Sequence, residues 1–285
     1  MERPSALPPR FRDPRPLGSG ARGRVLLVRD DMRGGEDVAL KVFHRRNDEV
    51  RSRFPALRAT AAASYGLVRL YDWVEGDDWH GFTMAACDGE PLVQALRGPE
   101  EAPVARLVLG QRIESPRFHA PSPTLLARAR RVFAALAAAV GNLHHAGFVH
   151  GDLRPENVLV DADGSVVLLD LDAARAPGTL DDGLTATTWA APELGQDESG
   201  FAAPCDVYSL GTLLFLVLTG DVPFAGSAHD VVLRKGTVSA PRASFLVPGI
   251  PDDLDDLCAR MLERNPARRA KLHEAVAVAE SGPVI

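Results

Sequence analysis

The chain has 285 residues, with 46 % apolar and 25 % charged side chains, the composition of an ordinary globular protein with room for one large domain or two lobes. Its net charge of −6 and pI near 5.8 give no electrostatic footprint for nucleic acid or an anionic membrane. The three cysteines, Cys87, Cys205 and Cys258, are too few and too scattered for a disulfide framework or a zinc site, which points to a reducing compartment.

Residues 1–15 are rich in Pro and Arg and lack the apolar segment of a secretory signal. The most apolar windows, 132–140 and 210–218, are too short to span a bilayer, so the expected location is cytoplasmic. Leu17-Gly18-Ser19-Gly20-Ala21-Arg22-Gly23-Arg24-Val25 reads as a glycine-rich turn feeding an apolar strand. Such glycines let backbone N–H groups approach phosphate oxygens, although an ordinary glycine turn has the same composition. A strand after the third glycine argues against a dinucleotide fold, whose glycines open a helix.

Val38-Ala39-Leu40-Lys41-Val42-Phe43 is a strand with Ala39, Lys41 and Phe43 on one face and Val38, Leu40 and Val42 on the other. A lysine within so apolar a run needs an anionic partner, unless the strand lies at a sheet edge. A helix is expected over 54–63 with Pro55 in its first turn, followed by strands over 67–73 and 79–84 joined by a turn at 76–78. A short connector at 85–89 and a brief helix over 91–97 come next.

Residues 98–123 carry Pro99, Pro103, Pro116, Pro121 and Pro123 and read as an irregular insertion. A long Ala-rich helix follows over 125–145, with His144 and His145 as helix-end residues, not metal ligands. Asp163-Gly164 between two apolar runs is a strong hairpin signal. A two-residue loop centred there sets Asn157 opposite Asp170, an amide oxygen beside a carboxylate, a seat for a hard cation such as Mg²⁺. Asp152 stands five residues before Asn157, so the stretch has the layout of a phosphoryl-transfer site. Asp206 is placed as the N-cap of an apolar helix over 207–219 ending at Gly220, and further helices are expected over 251–264 and 268–280.

These motifs, taken in order, resemble the eukaryotic-type (Hanks-type) protein kinases, most nearly the bacterial Ser/Thr group, over roughly residues 11–278. Gly18-x-Gly20-x-x-Gly23-x-Val25 resembles the phosphate-covering loop, and Val38-Ala39-Leu40-Lys41 the strand lysine. His150-Gly151-Asp152-Leu153-Arg154-Pro155-Glu156-Asn157 resembles the catalytic loop, and Asp170-Leu171-Asp172 takes the place of Asp-Phe-Gly. Ala191-Pro192-Glu193 closes the activation segment, Asp206-Val207-Tyr208-Ser209-Leu210-Gly211 opens the central helix, and Asn265-Pro266-Ala267-Arg268-Arg269 supplies the arginine for the Glu193 carboxylate.

The resemblance implies an α+β, bilobal fold: a tail (1–10), a β-rich nucleotide-binding N-lobe with one helix (11–84), a larger helical catalytic C-lobe (85–280) and a C-terminal tail (281–285). It implies that Asp152 orients and deprotonates the acceptor hydroxyl, that Asn157 and Asp170 bind Mg²⁺ (or Mn²⁺), and that Lys41 grips the α/β-phosphates of ATP. Arg154 stands where a lysine is usual, near the γ-phosphate. Leu17, Gly18, Ser19, Gly20, Gly23, Val25 and Ala39 would cover the nucleotide and Leu159 would lie beneath adenine. The backbone from Ala85 to Cys87 would meet its edge, and Met84 would control the back pocket.

Some positions depart from the family pattern. No acid stands where the helix glutamate that pairs the lysine is expected, at about 53–55, and Glu49, with Asp48 beside it, is the nearest. Gly151 replaces the arginine that meets an activation-segment phosphate, which implies that such phosphorylation is not needed. Asp172 replaces a glycine and is read as a turn residue in preference to an extra metal ligand. Thr185, Thr187 and Thr188 are candidate autophosphorylation sites. The expectation is an ATP- and Mg²⁺-dependent Ser/Thr protein kinase acting on protein substrates. Neither nucleic acid nor membrane is an expected partner, and a regulatory partner would engage the insertion or the N-terminal tail. A pseudokinase-type binding module and a small-molecule phosphotransferase are the alternatives.

Overall fold

The computed structural model describes residues 7–20, 22–76, 79–98, 120–180, 188–194 and 200–280. Most of the expected insertion (99–119), Thr185 and Thr187, Asp77 and Asp78 of the expected turn, and the tail 281–285 lie outside the described residues. The chain divides into two compact units, Met1–Asp88 and Gly89–Ile285, giving an α+β architecture.

The first unit is an antiparallel sheet of five strands with one helix. Its strands are β1 (Phe11–Ser19), β2 (Gly23–Asp30), β3 (Glu36–Phe43), β4 (Leu70–Glu75) and β5 (His80–Ala85), in the order β1-β2-β3-β5-β4. β3 is central and buried on both faces. Val38, Leu40 and Val42 join Phe11, Val28, Val74 and Trp79 in one cluster, while Phe43 stacks among Trp73, His80 and Phe82. The edge-strand alternative for Lys41 therefore fails, since Lys41 is paired with Val25 on one side and Phe82 on the other.

Helix α1 spans Asp48–Ala63, starting well before the expected residue 54. Asn47 caps it by accepting Val50 N–H, and Asp48 and Glu49 suit the positive end of the helix dipole. Pro55 thus lies in the helix interior, not its first turn, where it forfeits one backbone hydrogen bond. The buried stripe Val50, Phe54, Leu57 and Ala61 holds the helix in place regardless. The strands after it begin later than expected. Leu67 and Val68 are buried on the approach to β4 without belonging to the ladder.

The second unit is mainly helical. It contains β6 (Glu90–Pro91), α2 (Leu92–Arg97), α3 (Pro123–His145), β7 (Val158–Val160), β8 (Val166–Leu168), α4 (Ala203–Thr219), α5 (Ala228–Thr237), α6 (Ala243–Leu246), α7 (Asp252–Met261) and α8 (Leu272–Glu280). Ser122 caps α3, and the contact from Phe148 N–H to Leu143 O closes its end beyond Gly147. Arg130 on α3 grips Asp253 with both Nη atoms at 2.6 and 2.7 Å and also donates to Val278 O, tying α3 to α7 and α8.

Helix α4 is buried along almost its whole length. Contrary to expectation, Asp206 does not cap it. The helix starts at Ala203 with Pro204 in its first turn, so Asp206 lies inside that turn and its carboxylate serves another segment. Gly220 ends the helix in left-handed backbone, as the sequence implied, and Arg97 donates to Val217 O at 2.8 Å beside it. The helices expected over 251–264 and 268–280 are shorter, because the Pro266 turn capped by Asn265 interrupts the backbone between them.

Candidate active site

In the second unit, residues 149–157 are held from below by α4. Asp206, 1 % exposed, accepts His150 N–H at 2.8 Å and Gly151 N–H at 2.9 Å, with His144 Nε2 2.8 Å away. A buried carboxylate taking two backbone donors is a strong, charge-assisted anchor. His150 accepts Asp152 N–H on Nδ1 at 3.2 Å, so its proton is on Nε2, which donates to Leu169 O at 2.9 Å. The histidine therefore ties the Asp152 loop to the strand leading to Asp170.

Asn157 closes the arrangement. Its Nδ2 donates to Asp152 O at 2.8 Å and reaches Asp152 Oδ2 at 3.5 Å. With the amide nitrogen so engaged, Oδ1 is left as the acceptor atom of the side chain. The hairpin register differs from the expected one. β7 and β8 pair Val158 with Leu168, and Leu169 N–H donates to Asn157 O at 2.8 Å, so Leu169, not Asp170, lies opposite Asn157. The cause is the loop. Asp161 N–H donates to Ser165 O across Ala162, Asp163 and Gly164, one residue more than a two-residue turn. Asp170 follows directly in left-handed backbone (φ 60°) and leaves the strand there.

Arg154 is half-buried and bonded to Glu156 at 2.8 Å. Burial works to lower its guanidinium, but the Glu156 bond and the charges of Glu156, Asp152 and Asp170 together raise it above the usual arginine value. Arg154 thus lies in the field of both acids. Asp172 is buried in the single turn Leu171–Ala173. Leu159 is half-buried on β7.

Gly151 is dictated by its surroundings. Its φ is +73°, and a Cβ there would stand 3.0 Å from Phe201 Cε1. Phe201 is fully buried, with the Arg175 guanidinium 4.3 Å from its ring centroid. The ground beside the loop is therefore filled by an aromatic ring and an internal cation.

The end of the 171–190 segment is anchored as the sequence implied. Glu193 receives Arg269 Nη1 and Nη2, both at 2.6 Å. Sequence reasoning missed Lys235, whose Nζ donates to Thr188 O and Ala190 O, and Ser209, which donates to Trp189 O. Burial pulls the Lys235 ammonium down to about 7, against the opposing pull of Glu193. The thiols offer no nucleophile here, since burial pushes Cys205 up to about 12 and raises Cys258 and Cys87 as well.

In the first unit, Lys41 is 5 % exposed on β3, and Ala39 beside it pairs with Met84. Leu17 is 56 % exposed at the end of β1, and Val25 is half-buried opposite Gly18. Gly18, Ser19 and Gly20 are exposed, and His44 Nε2 lies 3.1 Å from Gly20 O, a tether the sequence did not reveal. Gly23 has a different task from its neighbours: a Cβ there would fall 2.3 Å from Val42 O, so it lets β2 lie against β3. Ala85 ends β5, and the half-buried Cys87 follows it. Glu49 is 68 % exposed on its side chain and bonded to Arg53 one turn along α1.

Among the described residues no helix is long and apolar enough to cross a membrane. The chain is 35 % identical over 258 residues to the serine/threonine-protein kinase PknL of Mycobacterium tuberculosis, covering 84 % of this chain and 57 % of that protein. It is 32 % identical over 281 residues to PknJ of Mycobacterium bovis (91 % of this chain, 43 % of that protein). Against PknB of Mycobacterium tuberculosis the identity is 29 % over 282 residues (94 % and 42 %). The chain thus spans about half the length of these curated relatives. The protein kinase domain family model matches residues 11–279, and with the catalytic-loop network described above this chain belongs to the protein kinase domain family.

Proposed function

We propose that the chain is a Ser/Thr protein kinase that transfers the γ-phosphoryl group of ATP to hydroxyls of a protein substrate. The observation that carries this reading is the fixed pair Asp152 and Asn157, joined through the amide and locked to α4 through His150, Gly151 and Asp206. Phosphoryl transfer asks mostly for positioning and charge stabilisation, which such a rigid network supplies.

Asp152 orients the acceptor hydroxyl and takes its proton as the oxygen attacks the γ-phosphorus and ADP leaves. Arg154, in the field of Asp152 and Asp170, offers positive charge to the γ-phosphate. Lys41 holds the α/β-phosphates. Asn157 Oδ1 and the Asp170 carboxylate are hard oxygen donors that suit Mg²⁺, or Mn²⁺, which when bound neutralises phosphate charge. Leu17, Gly18, Ser19, Gly20, Gly23, Val25, Ala39, Met84, Ala85, Cys87 and Leu159 form the nucleotide-binding set. In this reading residues 11–84 bind nucleotide and residues 85–280 carry the transfer machinery. The chain works in the cytoplasm, and a regulatory partner engages the insertion or the N-terminal tail.

One observation favours a second reading, a pseudokinase that binds nucleotide or a partner without transfer: Glu49, the nearest acid to the expected lysine partner, is exposed and engaged by Arg53. Incubation with labelled ATP, Mg²⁺ and a generic basic protein, followed by phosphoamino-acid analysis, separates the two. Label on serine and threonine supports the kinase. Nucleotide binding without label supports the pseudokinase, and label confined to an aminoglycoside or choline would support the small-molecule alternative.

A further inference from the structure

Lysine is scarce in this chain: of 32 Lys and Arg residues only three are lysines, Lys41, Lys235 and Lys271. Lys271 is exposed, whereas Lys235 is 2 % exposed on α5, a helix that otherwise buries only Val231. A fold that uses arginine by default and keeps a lysine inside is using what arginine lacks, a compact ammonium with three donors on one atom.

Those donors meet one short stretch of backbone. Lys235 Nζ donates to Thr188 O at 2.8 Å and to Ala190 O at 2.7 Å, and Ser209 Oγ on α4 donates to the intervening Trp189 O at 2.9 Å. Three successive carbonyls are therefore each held by a side chain of the helical body. The same Nζ lies 5.2 Å from the Tyr208 ring centroid. Arg269, clamped on Glu193, lies 5.0 Å from that centroid. Ser209 follows Asp206 by one turn of α4, so a single helix holds both the 150–151 backbone beside Asp152 and the backbone at 189.

We propose that Lys235 is a positioning residue for transfer to protein: with Ser209 it fixes residues 188–190 in register with the Asp152 loop, an internal substitute for a phosphate on that segment. The inference rests on the kinase reading above for its substrate, a protein hydroxyl, but not for the latch itself. Without Lys235 the two outer carbonyls lose their donor and the stretch that α4 holds alongside the Asp152 loop loosens, whereas the nucleotide-binding residues keep their contacts.

The test compares wild type with Lys235→Met, Lys235→Arg and the milder Ser209→Ala. The measurements are KM for a basic protein substrate, affinity for ATP, melting temperature, and amide exchange of residues 188–191. The expected result for Lys235→Met is a rise of about tenfold in protein-substrate KM, with ATP affinity within about twofold and faster exchange confined to that stretch. Lys235→Arg should behave like Lys235→Met, because the site is 2 % exposed and already brings Nζ within 2.7–2.8 Å of both carbonyls, which leaves no room for the longer, bulkier guanidinium. Ser209→Ala should shift the same readouts less. Unchanged substrate KM and exchange would overturn the proposal, as would an equal loss of ATP affinity with general melting. If the wild type binds ATP but transfers nothing, the kinase reading fails instead, and the exchange comparison alone still decides whether the latch exists.

Discussion

Replacing Gly151 with arginine, the residue before the aspartate in the His-Arg-Asp motif of protein kinases, should damage this protein. The glycine adopts φ +73°, and a Cβ there would stand 3.0 Å from Phe201 Cε1, 3.2 Å from Phe201 Cδ1 and 3.6 Å from Arg175 Nε. The ring has no room to retreat. Phe201 is fully buried, its N–H donates to Thr179 O and its carbonyl accepts Gly178 N–H, both at 2.8 Å. Left-handed backbone costs a side-chain-bearing residue about 1–2 kcal/mol. Forcing extra atoms into a packed region adds about 1–3 kcal/mol. Gly151→Arg should therefore lose about 2–5 kcal/mol, and Gly151→Ala most of that, because Cβ already makes the clash. For a chain of this size such a loss lowers the melting temperature by about 3–8 °C. Thermal unfolding of the three proteins side by side is the assay. A Gly151→Arg protein that melts within about 1 °C of wild type would refute the packing argument.

Other expectations follow from the same contacts. Glu193→Gln removes the carboxylate charge that faces Arg269, whose side chain is 1 % exposed and otherwise donates to backbone carbonyls, and should cost about 3–5 kcal/mol in urea unfolding, so a loss under about 1 kcal/mol would contradict the anchor. His80 Nε2 accepts Asn47 N–H at 2.7 Å, and burial, helped by Arg46, lowers its pKa below 6.5. The folded state then binds fewer protons than the unfolded one. Its contribution to stability is present above pH 6.5 and is lost as pH falls through that value toward the folded pKa. His80→Gln should flatten the fall in melting temperature between about pH 7.5 and 5, and equal slopes for the two proteins would count against it. Changing Thr185, Thr187 and Thr188 together to alanine should leave most activity intact, because Phe201 and Arg175 occupy the ground beside Gly151. A near-total loss of transfer would overturn the view that transfer needs no phosphate on these threonines.

Where chemistry and pattern coincide, the sequence was readable. Lys41 in an unbroken apolar strand and the Asp-Gly hairpin signal both led to real elements. What escaped was decided by single residues and distant contacts. Asp-Gly favours a two-residue loop, yet the bond from Asp161 N–H to Ser165 O adds a residue and moves Asn157 opposite Leu169. The first half of α1 looked like loop because its polar residues hid the Asn47 cap. β1 was invisible to periodicity, since beyond Phe11 it is exposed and held by pairing with β2. Asp206 carried the signature of a helix cap, but its partners are 55 and 56 residues away in sequence. Lys235 left one trace, its rarity, and only the fold gives that trace a meaning.

The most direct test of the central claim is the single-turnover rate of phosphoryl transfer from ATP to protein, measured for wild type and Asp152→Asn at saturating ATP and Mg²⁺. A loss of about 10²–10⁴-fold on substitution, with nucleotide affinity preserved, is the expected result, because the carboxylate acts on the acceptor hydroxyl. Equal rates in the two proteins, or transfer from neither while both bind ATP, would contradict it.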